Sequence, residues 1–140
     1  MEILRCKHLR KIYGKGENQV IALDDINLSI EKGQFVAIVG ESGSGKSTLL
    51  HMLGGVDRPS SGKIYIEDQE IAKLKEEDLA LFRRRKVGLI YQFYNLIPTL
   101  TVKKNILLPL LLDKKKYDEE AFNQLIVSSP FKMAKSYLMR

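Results

Sequence analysis

The segment Gly40-Glu41-Ser42-Gly43-Ser44-Gly45-Lys46-Ser47 constrains this chain more than any other. It fits G-x-x-x-x-G-K-[ST], a loop built to hold phosphate. A backbone that wraps a polyphosphate must turn its N–H groups inward. It needs residues without a Cβ where the angles are strained or the ligand comes close. Gly40, Gly43 and Gly45 supply those positions, and Glu41, Ser42 and Ser44 complete the wrap. Lys46 brings a cation to the outer phosphates, Ser47 offers a hydroxyl to Mg²⁺, and Thr48 adds another hydroxyl.

The flanks agree with the motif. "QFVAIVG" (Gln34–Gly40) is a short apolar, β-branched run and reads as a buried strand. "KSTLLHML" (Lys46–Leu53) places Leu49, Leu50 and Leu53 at helical spacing and ends at Gly54-Gly55. A helix N-terminus aimed at the phosphates adds its partial positive charge.

The 140 residues are 44% hydrophobic and 29% charged, enough apolar material for one domain's core. "ILLPLLL" (Ile106–Leu112), the most apolar stretch, is too short to span a bilayer. Cys6 is the only cysteine, which excludes an internal disulfide or a thiolate metal cluster, and a cytoplasmic location is the expectation. The net charge of +6 is uneven. Residues 1–82 carry 11 Lys/Arg and 13 Asp/Glu, and residues 83–140 carry 12 and 4. The basic clusters Arg83–Lys86 and Lys114–Lys116 fall at helix ends and read as helix C-terminal charge. No nucleic-acid motif accompanies them, so nucleic acid is not an expected partner.

Elsewhere, "EILRCKHLRKIY" reads as a strand with imperfect alternation and "INLSIEKG" as a half-buried strand. "KIYIEDQEI" reads as another strand. "KEEDLALFRRRK" (Lys75–Lys86) reads as a helix with Leu79 and Phe82 inward, and "VGLIYQ" (Val87–Gln92) as a second buried strand. Thr101 is placed to cap a helix through Leu112, and Asp118 to cap another. His51 lies amid Leu50, Met52 and Leu53 and reads as a packing or surface residue. Cys6 reads as a small core residue.

Three segments in order, "IYGKGENQVIALDDINLSIEKGQFVAIVGESGSGKSTLLHMLGG", "DRPSSGKIYI" and "VGLIYQFYNLIPTLTVKKNILLPLL", resemble the ATP-binding subunit of ABC transporters over roughly residues 2–126. The last is similar to the subfamily serving lipoprotein-releasing, macrolide-exporting and bacitracin-resistance systems. The resemblance implies an α/β fold: a P-loop NTPase core with an incomplete, mostly parallel sheet, an N-terminal antiparallel β subdomain and the start of a helical subdomain. It implies ATP and Mg²⁺ as cofactors, with Tyr13 stacking on adenine and Gln92 reaching Mg²⁺ and the attacking water beside Lys46. It implies a transmembrane permease meeting the region Gln92–Asn105, with Tyr94, Leu96 and Ile97 as contacts. It further implies a second ATPase subunit, head to tail, and a position on the inner face of the cell membrane.

The sequence also departs from the family. No L-S-G-G-Q signature, no aliphatic run ending in Asp-Glu and no switch histidine is present. Residues 127–140, "VSSPFKMAKSYLMR", carry three basic residues and no acid and form a separate, non-family tail. A truncated or frame-shifted product and a natural short variant are the two origins to separate. The expectation is ATP binding without turnover by the chain alone.

Overall fold

A computed structural model describes residues 1–91 and 95–128. The chain divides into two units, residues 1–89 and residues 90–140.

The first unit is built on two long strands, β1 (Glu2–Tyr13) and β2 (Val20–Glu31), joined by a loop containing a short 3₁₀ turn over Gly16–Asn18. β1 pairs antiparallel with β2 and, on its other edge, with β3 (Ser61–Ile66); β4 (Gln69–Glu70) completes the order β2-β1-β3-β4. The imperfect alternation of β1 has a physical cause. Cys6 and Leu9 are both buried with two exposed residues between them, because the pairing register shifts there against both neighbours. His8 takes a positive φ of 48° at this bulge, its backbone N–H bonded to Asn27 Oδ1 at 2.9 Å.

"KIYIEDQEI" is a hairpin and not one strand. Glu67 (φ 47°) and Asp68 (φ 63°) form a two-residue turn between β3 and β4 with both central residues left-handed. Neither is glycine or asparagine, so the sequence carries no strong turn signal there. Helix α1 (Lys46–Leu53) lays Leu49, Met52 and Leu53 onto the core with Cys6, Leu9, Leu23, Ile64 and Ile66. Helix α2 (Glu76–Lys86) contributes Leu79 and Phe82, opening on three acids and ending on four bases as its macrodipole favours.

Both segments read as buried strands need correction. Residues 34–41 and 87–91 belong to no strand, and Gln92 lies outside the described residues. A strand exists only where a neighbour takes its N–H and C=O groups, and among the described residues every ladder is antiparallel and excludes these segments. Their apolar side chains are partly uncovered. Phe35 is 98% exposed and Val39 87%, while Ile38 and Val87 pack on the core. The mostly parallel sheet is therefore not formed among the described residues, whereas the antiparallel β subdomain is.

The second unit holds α3 (Val102–Leu112) and α4 (Glu119–Ser128). The predicted caps are present. Thr101 Oγ1 accepts from the Lys104 N–H at 3.2 Å, and Asp118 Oδ1 from the Glu120 N–H at 2.8 Å. Pro109 lies inside α3 without ending it. Lys103 pairs with Glu119 at 2.6 Å and lies over the Tyr117 and Phe122 rings. Leu107 and Phe122 are buried. Tyr94 and residues 129–140 of the tail lie outside the described residues; Leu96 and Ile97 are exposed on the loop before α3.

Two outcomes follow from this packing. Met52 is fully buried between helix and sheet, so Met52→Ala should cost about 2–5 kcal/mol in chemical denaturation. Phe35→Ser should leave that stability unchanged and reduce concentration-dependent association measured by sedimentation, because Phe35 contributes exposed apolar surface and no core contact.

Candidate functional site

The phosphate loop is anchored at its C-terminal end. Gly45 is the N-cap of α1 at φ 86°, and its carbonyl accepts the helix's first hydrogen bond, from the Leu49 N–H at 2.8 Å. A Cβ at Gly45 would meet the Ala22 carbonyl oxygen of β2 at 2.4 Å. Only glycine satisfies both the left-handed angle and that close approach. At the other end a Cβ on Gly40 would stand 2.8 Å from Ser44 Oγ, inside the wrap. Between them the Ser44 N–H donates to the Glu41 carbonyl at 3.2 Å. Glu41, Ser42, Gly43 and Ser44 are all exposed.

Lys46 folds back over this loop. Its Nζ donates to the carbonyls of Gly40, at 2.9 Å, and Glu41, and lies 3.3 Å from Ser44 Oγ. Ser47 is exposed on the first turn of α1 and Thr48 is half-buried. No side chain caps the helix, and the first N–H groups of a helix have no intrahelical acceptor. The arrangement is thus a short loop with an ammonium across it, a helix N-terminus and two nearby hydroxyls. It suits a polyphosphate by charge and by donors.

Tyr13 ends β1, opposite Val20, and is 41% exposed. Ile12 pairs with Ile21 and Lys11 with Leu23, so the stretch of β2 that Gly45 abuts is paired with the end of β1. The sheet thereby brings Tyr13 and the phosphate loop into one unit. Gln92, the predicted third element, lies outside the described residues. His51 sits in the last turn of α1, where its carbonyl accepts from the Val56 N–H at 2.9 Å, a structural use. Cys6 is buried, and that burial pushes its thiol pKa up.

Two residues not singled out from the sequence, Lys11 and Asp57, contact Tyr13, and a third, Arg58, contacts both of them. The Tyr13 hydroxyl donates to Asp57 Oδ2 at 3.0 Å. Lys11 Nζ donates to Asp57 Oδ1 at 2.8 Å and to the Arg58 carbonyl at 2.7 Å, and lies 4.8 Å from the Tyr13 ring centroid. The Arg58 N–H donates to Asp57 Oδ1 at 2.7 Å. The guanidinium of Arg58 reaches the carbonyls of Ala72, at 2.8 Å, and Leu74, at 2.7 Å, and Arg83 reaches the Gly55 carbonyl at 2.7 Å. One available signal was the Lys-x-Tyr spacing of β1, which puts both side chains on one face.

The loop, the lysine and the helix define the class: a P-loop nucleotide-binding protein. An ABC transporter family model matches residues 23–136. The chain belongs to the ABC transporter ATP-binding family. It is 44% identical over 127 residues to the lipoprotein-releasing system ATP-binding protein LolD of Idiomarina loihiensis, covering 89% of this chain and 56% of LolD. It is 50% identical over 109 residues to the macrolide export ATP-binding/permease protein MacB of Neisseria gonorrhoeae, covering 78% of this chain and 17% of MacB. The dimeric post-hydrolysis state of the ATP-binding cassette MJ0796, bound to ADP and Pi, matches with a TM-score of 0.78 at 38% identity. That match covers 87% of this chain and 53% of the cassette. The chain spans about half the length of LolD and of the cassette.

Asp57 titrates below the ordinary carboxylate value of 3.8. Burial pushes it up, and hydrogen bonds from Lys11, the Arg58 N–H and Tyr13 outweigh that. A depressed folded pKa contributes stability that is complete above the unfolded value and lost as pH falls through the folded one. Urea midpoints measured from pH 6 down through the carboxylate range should fall for the wild type, and Asp57→Asn should flatten that part of the profile.

Proposed function

We propose that this chain binds Mg-ATP as the P-loop part of an ABC-type ATP-binding subunit that serves export or the handling of lipoproteins or antimicrobial peptides. The observation that carries this reading is the loop closed by Gly45 and spanned by Lys46 at the start of α1. The N–H groups of residues 40–48 would surround the phosphates. Lys46 would exchange its carbonyl partners for phosphate oxygens, which attract an ammonium more strongly because they carry charge. Ser47 and Gln92 would supply oxygen to Mg²⁺. Among the described residues no three His, Cys, Asp or Glu side chains converge on a metal site, so the remaining Mg²⁺ ligands in this reading are phosphate oxygens and water.

The transport role rests on likeness. LolD and MacB are named for release and export, and MacB also for a permease. By that analogy the region Gln92–Asn105 meets a transmembrane permease, and a second ATPase subunit pairs head to tail, placing the chain on the inner face of the membrane. No helix among the described residues is long and apolar enough to cross a membrane. A second reading is a nucleotide-binding module without turnover. It is a reading of these 140 residues alone, in which the signature motif, the aliphatic Asp-Glu segment and the switch histidine do not occur.

A Mg-ATP titration beside Lys46→Ala tests binding. Saturable binding that weakens at least tenfold in Lys46→Ala is the expected outcome, for the loss of an ammonium–phosphate contact. Equal affinities would remove the P-loop from the site. ATP turnover above background, abolished by Lys46→Ala, would sink the second reading.

A further inference from the structure

The tyrosine that ends β1 does not stand alone. Lys11 and Tyr13 share a strand face because they are two residues apart. Lys11 is nearly withdrawn from water, its side chain 12% exposed, with its Nζ over the Tyr13 ring. A cation so placed takes one face of the ring by attraction to the π-system. Asp57 receives the Lys11 ammonium, the Tyr13 hydroxyl and the Arg58 N–H together. The turn bearing Asp57 is itself tied to β1. The Ser60 N–H donates to the Arg10 carbonyl at 2.9 Å, and the Ile12 N–H donates to Ser60 Oγ at 3.0 Å. At its other end the Val56 N–H bonds to the His51 carbonyl of α1.

A free exposed tyrosine has rotamer freedom, and ordering it on binding weakens affinity. Here the hydroxyl, the ring face and the supporting turn are all held before any ligand arrives. The Lys11 charge is matched by Asp57 and its donors also serve the Arg58 carbonyl, so Lys11 is not a phosphate ligand in waiting. From this geometry we propose that Lys11 and Asp57 are positioning residues for a nucleobase platform: they hold the Tyr13 ring with one face capped, leaving the other for a base. The proposal rests on the reading of Tyr13 as the adenine-stacking residue. It adds two residues that touch no nucleotide and act through Tyr13.

The test compares Mg-ATP with Mg-tripolyphosphate, which has the phosphates and no base, in the wild type, Tyr13→Ala, Tyr13→Phe, Asp57→Asn and Lys11→Met. Tyr13→Ala should weaken ATP binding about tenfold and leave tripolyphosphate within about twofold. Tyr13→Phe and Asp57→Asn should each weaken ATP threefold to tenfold, roughly the loss of one net hydrogen bond, again sparing tripolyphosphate. The double variant of Tyr13→Phe and Asp57→Asn should be no worse than Asp57→Asn alone, since the bond that Tyr13→Phe removes is already disturbed there. Lys11→Met should follow the same split. A supporting role for the fold alone would weaken both ligands equally, and would overturn the proposal. If Tyr13→Ala spares ATP, the adenine reading itself fails. If Tyr13→Ala weakens ATP while Asp57→Asn and Lys11→Met do not, the platform stands and the positioning role falls. Tyrosine-selective ¹³C NMR of the free chain gives a readout that needs no nucleotide. The Tyr13 ring signals should move toward random-coil values in Asp57→Asn, and unchanged signals would also overturn the proposal.

Discussion

One eight-residue helix organises the first unit. The buried face of α1, Leu49, Met52 and Leu53, is seated on the sheet. Its N-cap Gly45 is pressed against the Ala22 carbonyl of β2, and its last turn takes the N–H of Val56. The first end fixes the phosphate loop. The second launches the turn that carries Asp57 to Tyr13. The phosphate loop and the turn that supports Tyr13 are therefore set by the same few buried side chains. Packing at this density leaves little room for the helix to shift without moving both.

The polar interactions at the far end of α1 serve the same purpose by other means. A chain that turns after Gly54-Gly55 exposes carbonyls that need donors. Arg83 meets Gly55, Lys11 meets Arg58, and Arg58 in turn meets Ala72 and Leu74. The basic run Arg83–Lys86 reads from sequence as helix C-terminal charge, which is right in sign. Part of it is also structural: Arg83 reaches the turn, and Lys86 pairs with Glu67 at 2.7 Å. Charged side chains can do this because guanidinium and ammonium groups offer several donors on a long apolar stem.

Local signals explain what was legible in the sequence. The bounds of α1, the caps Thr101 and Asp118, and the inward residues Leu79 and Phe82 follow from spacing and side-chain chemistry within one turn, and the structure has them. The phosphate loop was legible because its glycines answer backbone demands that no other residue meets. The β3–β4 hairpin was not, because Glu67 and Asp68 adopt left-handed angles without the usual glycine. The strands expected at 34–40 and 87–92 have strand composition, but a strand is a property of a pair. Composition gives no partner. The Tyr13 support was missed because Asp57 reaches it through tertiary structure, 44 residues away.

This separation between a packed core and an unladdered segment bears on nucleotide affinity. The buried cluster draws on α1, α2 and the antiparallel sheet, and from residues 34–41 it gains only the partly buried Ile38. The loop is thus held firmly from Gly45 onward and lightly before Gly40. Lys46 partly compensates, since its bonds to the Gly40 and Glu41 carbonyls tie the leading end of the loop to the anchored helix. In the proposed reading, phosphate competes for that ammonium. As Lys46 leaves the two carbonyls, the leading end loses its tie unless the ligand's own oxygens take up the loop N–H groups at the same time. Ordering a residue's backbone costs about 1–2 kcal/mol. A ligand that draws Lys46 away carries that cost unless its own oxygens hold the leading end. The leading end of the loop therefore depends on Lys46, and its trailing end on the packing of α1.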